Sequence, residues 1–286
     1  MKTSGEGFFE PVRFSGFPEL KEAFASGYLP ATFMLAPMAM VLREQGLPIK
    51  IVYLGHRDGT AIMVHKDSGI YNFKDLKGKT IAVPNRYSNQ FFLIYKGLRD
   101  NGLSIDKIKI VEMPPPDMPA ALYSKSVDAI VSGEPWMAKS QLDGYGRVLY
   151  QAKELWPNFI SCVLVVHDRA IKENPEWVQR LVDGIASSGK WLESGMERRM
   201  KAAETIAQNY YNQDPKLLRY VLSTPPDRVT YLNLMLAKKD FEEIEKIALE
   251  AGILKRSIAF EEYTDARFSQ QTLAAQPWSY QLEVNK

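Results

Sequence analysis

The sequence predicts an α/β chain of two lobes, with mainly parallel sheets flanked by helices and a cleft between the lobes. Three observations carry this expectation. Short apolar, strand-like runs alternate with segments of helical periodicity, the pattern of a mainly parallel sheet covered by helices. One joint recurs: an apolar run stops and a proline opens the helix that follows, as at Pro18, Pro37 and Pro135. Proline has no N–H to lose at a helix's first position, and its fixed φ suits that position. Finally, a polar turn segment at 74–78 separates two such α/β series.

In the first series, strands are expected at 12–15, 32–35, 49–54 and 61–65. Helices are expected at 18–26 and 37–45, each stopped by a glycine, Gly27 and Gly46. The second series reads as strand 80–83, helix 89–101, strand 109–112, helix 118–125, strand 127–131, helix 135–142 and strand 147–150. A strand at 161–166 then leads back. Asn174 stands as an N-cap before Pro175, and Trp177, Val178, Leu181, Val182 and Ile185 recur at helical spacing. Residues 196–254 are strongly helical, with Phe241, Ile244, Ile247, Ala248 and Ala251 on one face before Gly252. Residues 255–286 are polar and aperiodic. The expected division places 1–78 and 163–286 in one lobe and 79–162 in the other.

Bulk properties narrow the function. The chain has 286 residues, 45% hydrophobic and 24% charged, with a net charge of +2. That is ordinary for a globular protein and offers a nucleic acid no basic surface. Cys162 is the single cysteine, so no disulfide forms within the chain, and it reads as a small core residue rather than a nucleophile. No apolar stretch is long enough to span a membrane. The first ten residues lack the apolar core of a signal peptide, so either the protein is cytoplasmic or its true N-terminus lies upstream. His56, His65 and His167 lie far apart without metal-ligand spacing. No nucleotide, hydrolase or metalloprotease fingerprint is present. No metal, cofactor or catalytic residue is therefore expected.

The candidate site gathers at strand ends. In V-D-A-I-V-S-G-E-P-W (127–136) an apolar run stops at Ser132-Gly133, which puts Glu134 and Trp136 beyond a strand's carboxyl end, where open α/β sheets meet ligands. Glu134 can accept from a ligand amine or hydroxyl, or sit at the helix start and favour its dipole. Trp136 can wall a ligand or fill the core. Ser88, Asn89 and Gln90 follow the strand end at Val83 and can offer donors to an oxyanion or simply cap the next helix.

These segments resemble the substrate-binding proteins of ABC importers, in the branch that takes up nitrate, bicarbonate, sulfonates and taurine, which also includes binders of thiamine-precursor pyrimidines. The resemblance runs through E-L-K-E-A-F-A-S-G-Y-L-P-A-T-F-M-L-A-P, D-L-K-G-K-T-I-A-V-P, M-P-P-P-D-M-P-A-A-L followed by V-D-A-I-V-S-G-E-P-W, and A-L-E-A-G-I-L-K. It implies a two-lobed periplasmic-binding-protein-like fold of type II that closes like a flytrap on a small molecule. It implies delivery of that molecule to a permease and its ATPase. It also implies a monomer that is periplasmic or lipid-anchored outside the cytoplasm. The ligand-binding residues it implies are Phe17, Ala36, Pro37, Met38, Tyr87, Ser88, Asn89, Gln90, Glu134 and Trp136.

Two departures shape the expectation. Only about ten residues precede the segment at 11–17, so the first strand and helix of lobe 1 are expected to be missing. The loop at 85–90 has no histidine, and Met137 follows Trp136. Nitrate-type members of the branch carry a histidine in that loop and often an asparagine after E-P-W, so the resemblance implies another small anion, or an organic molecule with an anionic or aromatic part. The alternatives are a cytoplasmic enzyme on the same fold, of the thiamine-pyrimidine or menaquinone biosynthesis type, and a ligand-sensing domain.

Overall fold

The computed structural model describes residues 9–207 and 213–274. Two sheets organise them. The first holds β1 (Ala31–Met34), β8 (Ile160–His167), β2 (Ile49–Asp58) and β9 (Val229–Thr230), in that order. The second holds β5 (Lys109–Glu112), β4 (Thr80–Val83), β6 (Ala129–Gly133), β3 (Thr60–His65) and β7 (Gly146–Gln151).

Strand sense follows from the helical crossovers. Helix α2 (Ala36–Glu44) joins β1 to β2, and both run antiparallel to β8, hence in the same direction as each other. In the second sheet β4 pairs parallel with β5 and β6. The connections between these strands are α3 (Asn89–Asp100) and α4 (Met118–Tyr123). The expectation of mainly parallel sheets needs one refinement. In each sheet a return strand, β8 or β3, lies between strands that run alike, so its own pairings are antiparallel.

Burial explains the apolar runs. On β3, Ile62 and Val64 face the large core while Ala61 and Met63 face a second cluster with Met118, Leu122 and Met137. On β4, Ile81 and Val83 face the first and Ala82 the second. Both faces are covered, so these strands read as continuous apolar runs rather than alternating ones. A third cluster joins Ala138 on α5 (Trp136–Leu142) to Leu217 and Val221 on α10 (Pro215–Ser223).

The chain changes sheet at Gly59. The expected boundary at residue 78 is corrected here: β3 pairs with β6 and β7, so residues 60–65 belong to the second sheet. No helix separates β2 from β3, and their periodicity alone could not show that they part. Asp58 and Gly59 both take left-handed backbone, φ +58 and +67. A Cβ on Gly59 would come within 2.8 Å of Val229 Cγ2. The return runs from β7 through the short helix α6 (Ala152–Leu155) into β8.

The expected strand at 12–15 does not form. Val12, Arg13 and Ser15 are exposed, no ladder holds the segment, and it enters α1 (Phe17–Ala25) through an extended Gly16. The expected N-cap at Asn174 forms: its side chain accepts from the Trp177 N–H at 3.0 Å and opens α8 (Pro175–Glu193). The polar C-terminal stretch carries two short helices, α12 (Phe260–Tyr263) and α13 (Arg267–Ala274), and residues beyond 274 lie outside the described ones.

Candidate functional site

Beyond β4, Pro84 and Asn85 turn the chain toward α3. Ser88 caps that helix: its Oγ accepts from the Phe91 N–H at 3.0 Å and donates to the Asn85 carbonyl at 2.6 Å. The next two side chains reach the strands that link the sheets. Asn89 Nδ2 donates to the Ile160 carbonyl at 2.5 Å, at the start of β8. Gln90 Nε2 donates to Thr60 Oγ1 at 3.2 Å, at the start of β3. Asn85, Ser88, Asn89 and Gln90 are all at most 5% exposed. Yet Asn85 Oδ1 and Nδ2, Asn89 Oδ1 and Gln90 Oε1 have no hydrogen-bond partner. Buried polar atoms are almost always paired, so a cluster of unpaired ones at the junction of two sheets calls for an explanation. The first N–H groups of α3, at the positive end of its dipole, point out of the helix at the same place. The end of β6 is close by: a Cβ on Gly133 would lie 3.8 Å from the Gly59 carbonyl and 3.9 Å from Ser161 Oγ.

Of the two roles open to Glu134, the structure shows the one at the helix start. Its Oε2 accepts from the Ala138 N–H at 2.7 Å, which serves the helix start. Its Oε1 accepts from Arg228 Nη1 at 2.7 Å, and both side chains are almost fully buried. Burial pushes the carboxyl pKa up, while the Arg228 guanidinium opposes that shift. Both carboxylate oxygens are thus held inside the protein. The same three segments are stitched by backbone: the Glu134 N–H donates to the Gly59 carbonyl and the Gly59 N–H to the Arg228 carbonyl.

The other expected residues are placed as follows. Ala36, Pro37 and Met38 form the buried first turn of α2, and Phe17 packs part-buried on the same core. The bonds of the amide cluster run to β3 and β8 instead. Tyr87 is 41% exposed at the mouth of the loop before α3. Trp136 opens α5 and packs part-buried on the second cluster. Sequence reasoning missed Asn85, Thr60 and Arg228. Asn85 carried a signal, a polar residue at a strand end; Arg228, in a polar turn far along the chain, carried none.

Two buried arginines near the junction are paired within the protein. Arg57 donates to the Asn233 and Asn158 carbonyls and pairs with Asp240 at 2.5 Å. Arg199 pairs with Glu193 at 2.7 Å. Burial lowers the His56 pKa and pushes the Cys162 thiol up to about 12, so Cys162 is no thiolate nucleophile at neutral pH. Among the described residues no three His, Cys, Asp or Glu side chains gather to hold a metal ion, and no helix is long and apolar enough to cross a membrane. A surface depression of about 570 Å³ lies against α8 and α13 and shares no residue with the amide cluster.

The sequence profile of the NMT1-like family matches residues 2–207. This chain belongs to the NMT1-like family. Among similar proteins, the bicarbonate transport ATP-binding protein CmpC of Synechocystis is 24% identical over 218 residues, 70% of this chain and 32% of CmpC. The riboflavin-binding protein RibY of Chloroflexus aurantiacus is 29% identical over 147 residues, 50% of this chain and 41% of RibY. The match thus spans less than half the length of these relatives. Solved structures share the fold. The nitrate-binding protein NrtA of Synechocystis superposes with a TM-score of 0.83 at 12% identity, covering 91% of this chain and 79% of NrtA. The ligand-binding component of an ABC-type import system from Staphylococcus aureus gives 0.80 at 23%, covering 91% and 87%. The desulfurization enzyme DSZB, at 0.61 and 18% identity, covering 86% of each chain, shows that this NMT1-like fold also carries an enzyme.

Proposed function

We propose that this chain is the solute-binding component of an ABC importer. It captures a small anion or small organic molecule between its two sheets and hands it to a membrane permease driven by an ATPase. The observation that carries this reading is the group of buried, unpartnered amide atoms on Asn85, Asn89 and Gln90 where α3 meets the linking strands. A solute held there completes their hydrogen bonds, and the short connections at Gly59 and 152–159 let the sheets part to admit it. The family and the importer components of the same fold support the reading. On it, the protein works as a monomer outside the cytoplasm. Glu134 and Arg228 brace the joint, Ser88 shapes it, and Tyr87 and Trp136 flank it.

A second reading, an enzyme on the same fold, is favoured by the likeness to DSZB. The two separate in one experiment. A thermal-shift panel of anions, sulfonates and heterocycles identifies a stabilising solute, and the solute is then recovered after incubation. A ligand at 100 times its Kd adds about 2.7 kcal/mol of stability. Intact solute in stoichiometric amount is the expected result; a chemically altered one selects the enzyme.

A further inference from the structure

We infer that the junction selects an uncharged solute carrying both N–H donors and a carbonyl-type acceptor, an amide, lactam or ureide, over a bare oxyanion. The inference rests on the solute-binding reading and names its ligand class.

The orientation of Asn89 decides it. Its amide nitrogen meets the Ile160 carbonyl, which can only accept. The –NH₂ must therefore face Ile160, and the atom left unpaired is the carbonyl oxygen Oδ1. That oxygen needs a donor. Gln90 also leaves Oε1 unpaired, though the Thr60 hydroxyl that its nitrogen contacts can donate as well as accept, so Asn89 alone fixes the polarity. An oxyanion without an N–H or O–H, such as nitrate or methanesulfonate, offers acceptors only, so pressing one against Asn89 Oδ1 would set two acceptors together in a dry site.

Among the described residues, the buried arginines do not compensate. Arg57, Arg199 and Arg228 each pair with a carboxylate. Asn85, with both amide atoms unpartnered, and the first N–H groups of α3 supply donors for a ligand carbonyl. Donors from Asn85 and α3 together with the unpaired oxygen of Asn89 make the complement of an N–H/C=O unit.

The test uses the purified full chain and defined probes at matched ionic strength: hydantoin, 2-pyrrolidinone and acetamide against the acceptor-only ions nitrate and methanesulfonate. Calorimetric titration should show the amide-type probes binding at least about tenfold tighter than the oxyanions, the scale of one buried hydrogen bond. Gln90→Leu should weaken the amide-type probes by a similar factor. Gln90→Glu, which keeps an acceptor and adds negative charge, should leave them within about threefold. Oxyanions that bind tighter, and that Gln90→Glu expels, overturn the selectivity and leave the solute-binding reading standing. A folded chain that binds neither set overturns both. A probe returned chemically changed overturns the solute-binding reading.

Discussion

Glu134 and Arg228 stand 94 positions apart and meet in a nearly solvent-free ion pair. Removing one partner strands the other charge, so Arg228→Ala should cost about 3–5 kcal/mol in urea unfolding. A loss under 1 kcal/mol would mean the pair is not buried as described. His56 gives a pH dependence of definite sign. Burial holds its folded pKa below 6.5, so the unfolded chain binds the proton more readily. Its contribution is fully present above about pH 6.5 and is lost as pH falls below that value. His56→Gln should flatten the stability profile in that window; an unchanged slope would assign the acid sensitivity to other groups. At this scale the sequence was only partly legible. Glu134 was visible as an acid at a strand end, and the dipole reading was one of its two options. Its second partner was hidden, because a charge pair at such separation leaves no periodicity to read. Asn89 and Gln90 stood out as polar residues before an apolar helix, but only their bonds to Ile160 and Thr60 show which amide atoms stay unpaired.

Among elements, α3 positions the candidate site, and its cap is a single hydroxyl. Ser88→Ala removes both the bond from Phe91 N–H and the tie to the Asn85 carbonyl. It should lower stability by about 0.5–2 kcal/mol and weaken binding of any solute held at the junction. Loss of stability with unchanged affinity would detach the cap from the site. The elements themselves were the most legible layer. The bounds expected for β4 and β5 are those observed, because each is an apolar or β-branched run closed by a turn signal. The segment at 12–15 was misread because the run Val12-Arg13-Phe14-Ser15 alternates like a half-buried strand. A strand also needs a neighbour to complete its hydrogen bonds, and composition does not supply one.

For the molecule as a whole, the decisive feature is the change of sheet at Gly59. Left-handed backbone and the nearness of Val229 leave little room for a side chain there. Gly59→Ala should cost about 1–2 kcal/mol, read by denaturant titration; a neutral outcome would mean the link tolerates other conformations. Two lobes were foreseeable from two α/β series, but their boundary was not, since β2 and β3 follow one another without a helix and only pairing assigns them to different sheets. The central claim, a solute held unchanged where α3 meets the linking strands, is tested most directly by calorimetric titration of a stabilising solute into wild type and Asn85→Ala, with the solute recovered afterwards. One intact molecule per wild-type chain, and at least about tenfold weaker binding to a folded Asn85→Ala, is the result predicted. Undiminished affinity in that variant, or a transformed solute, would contradict it.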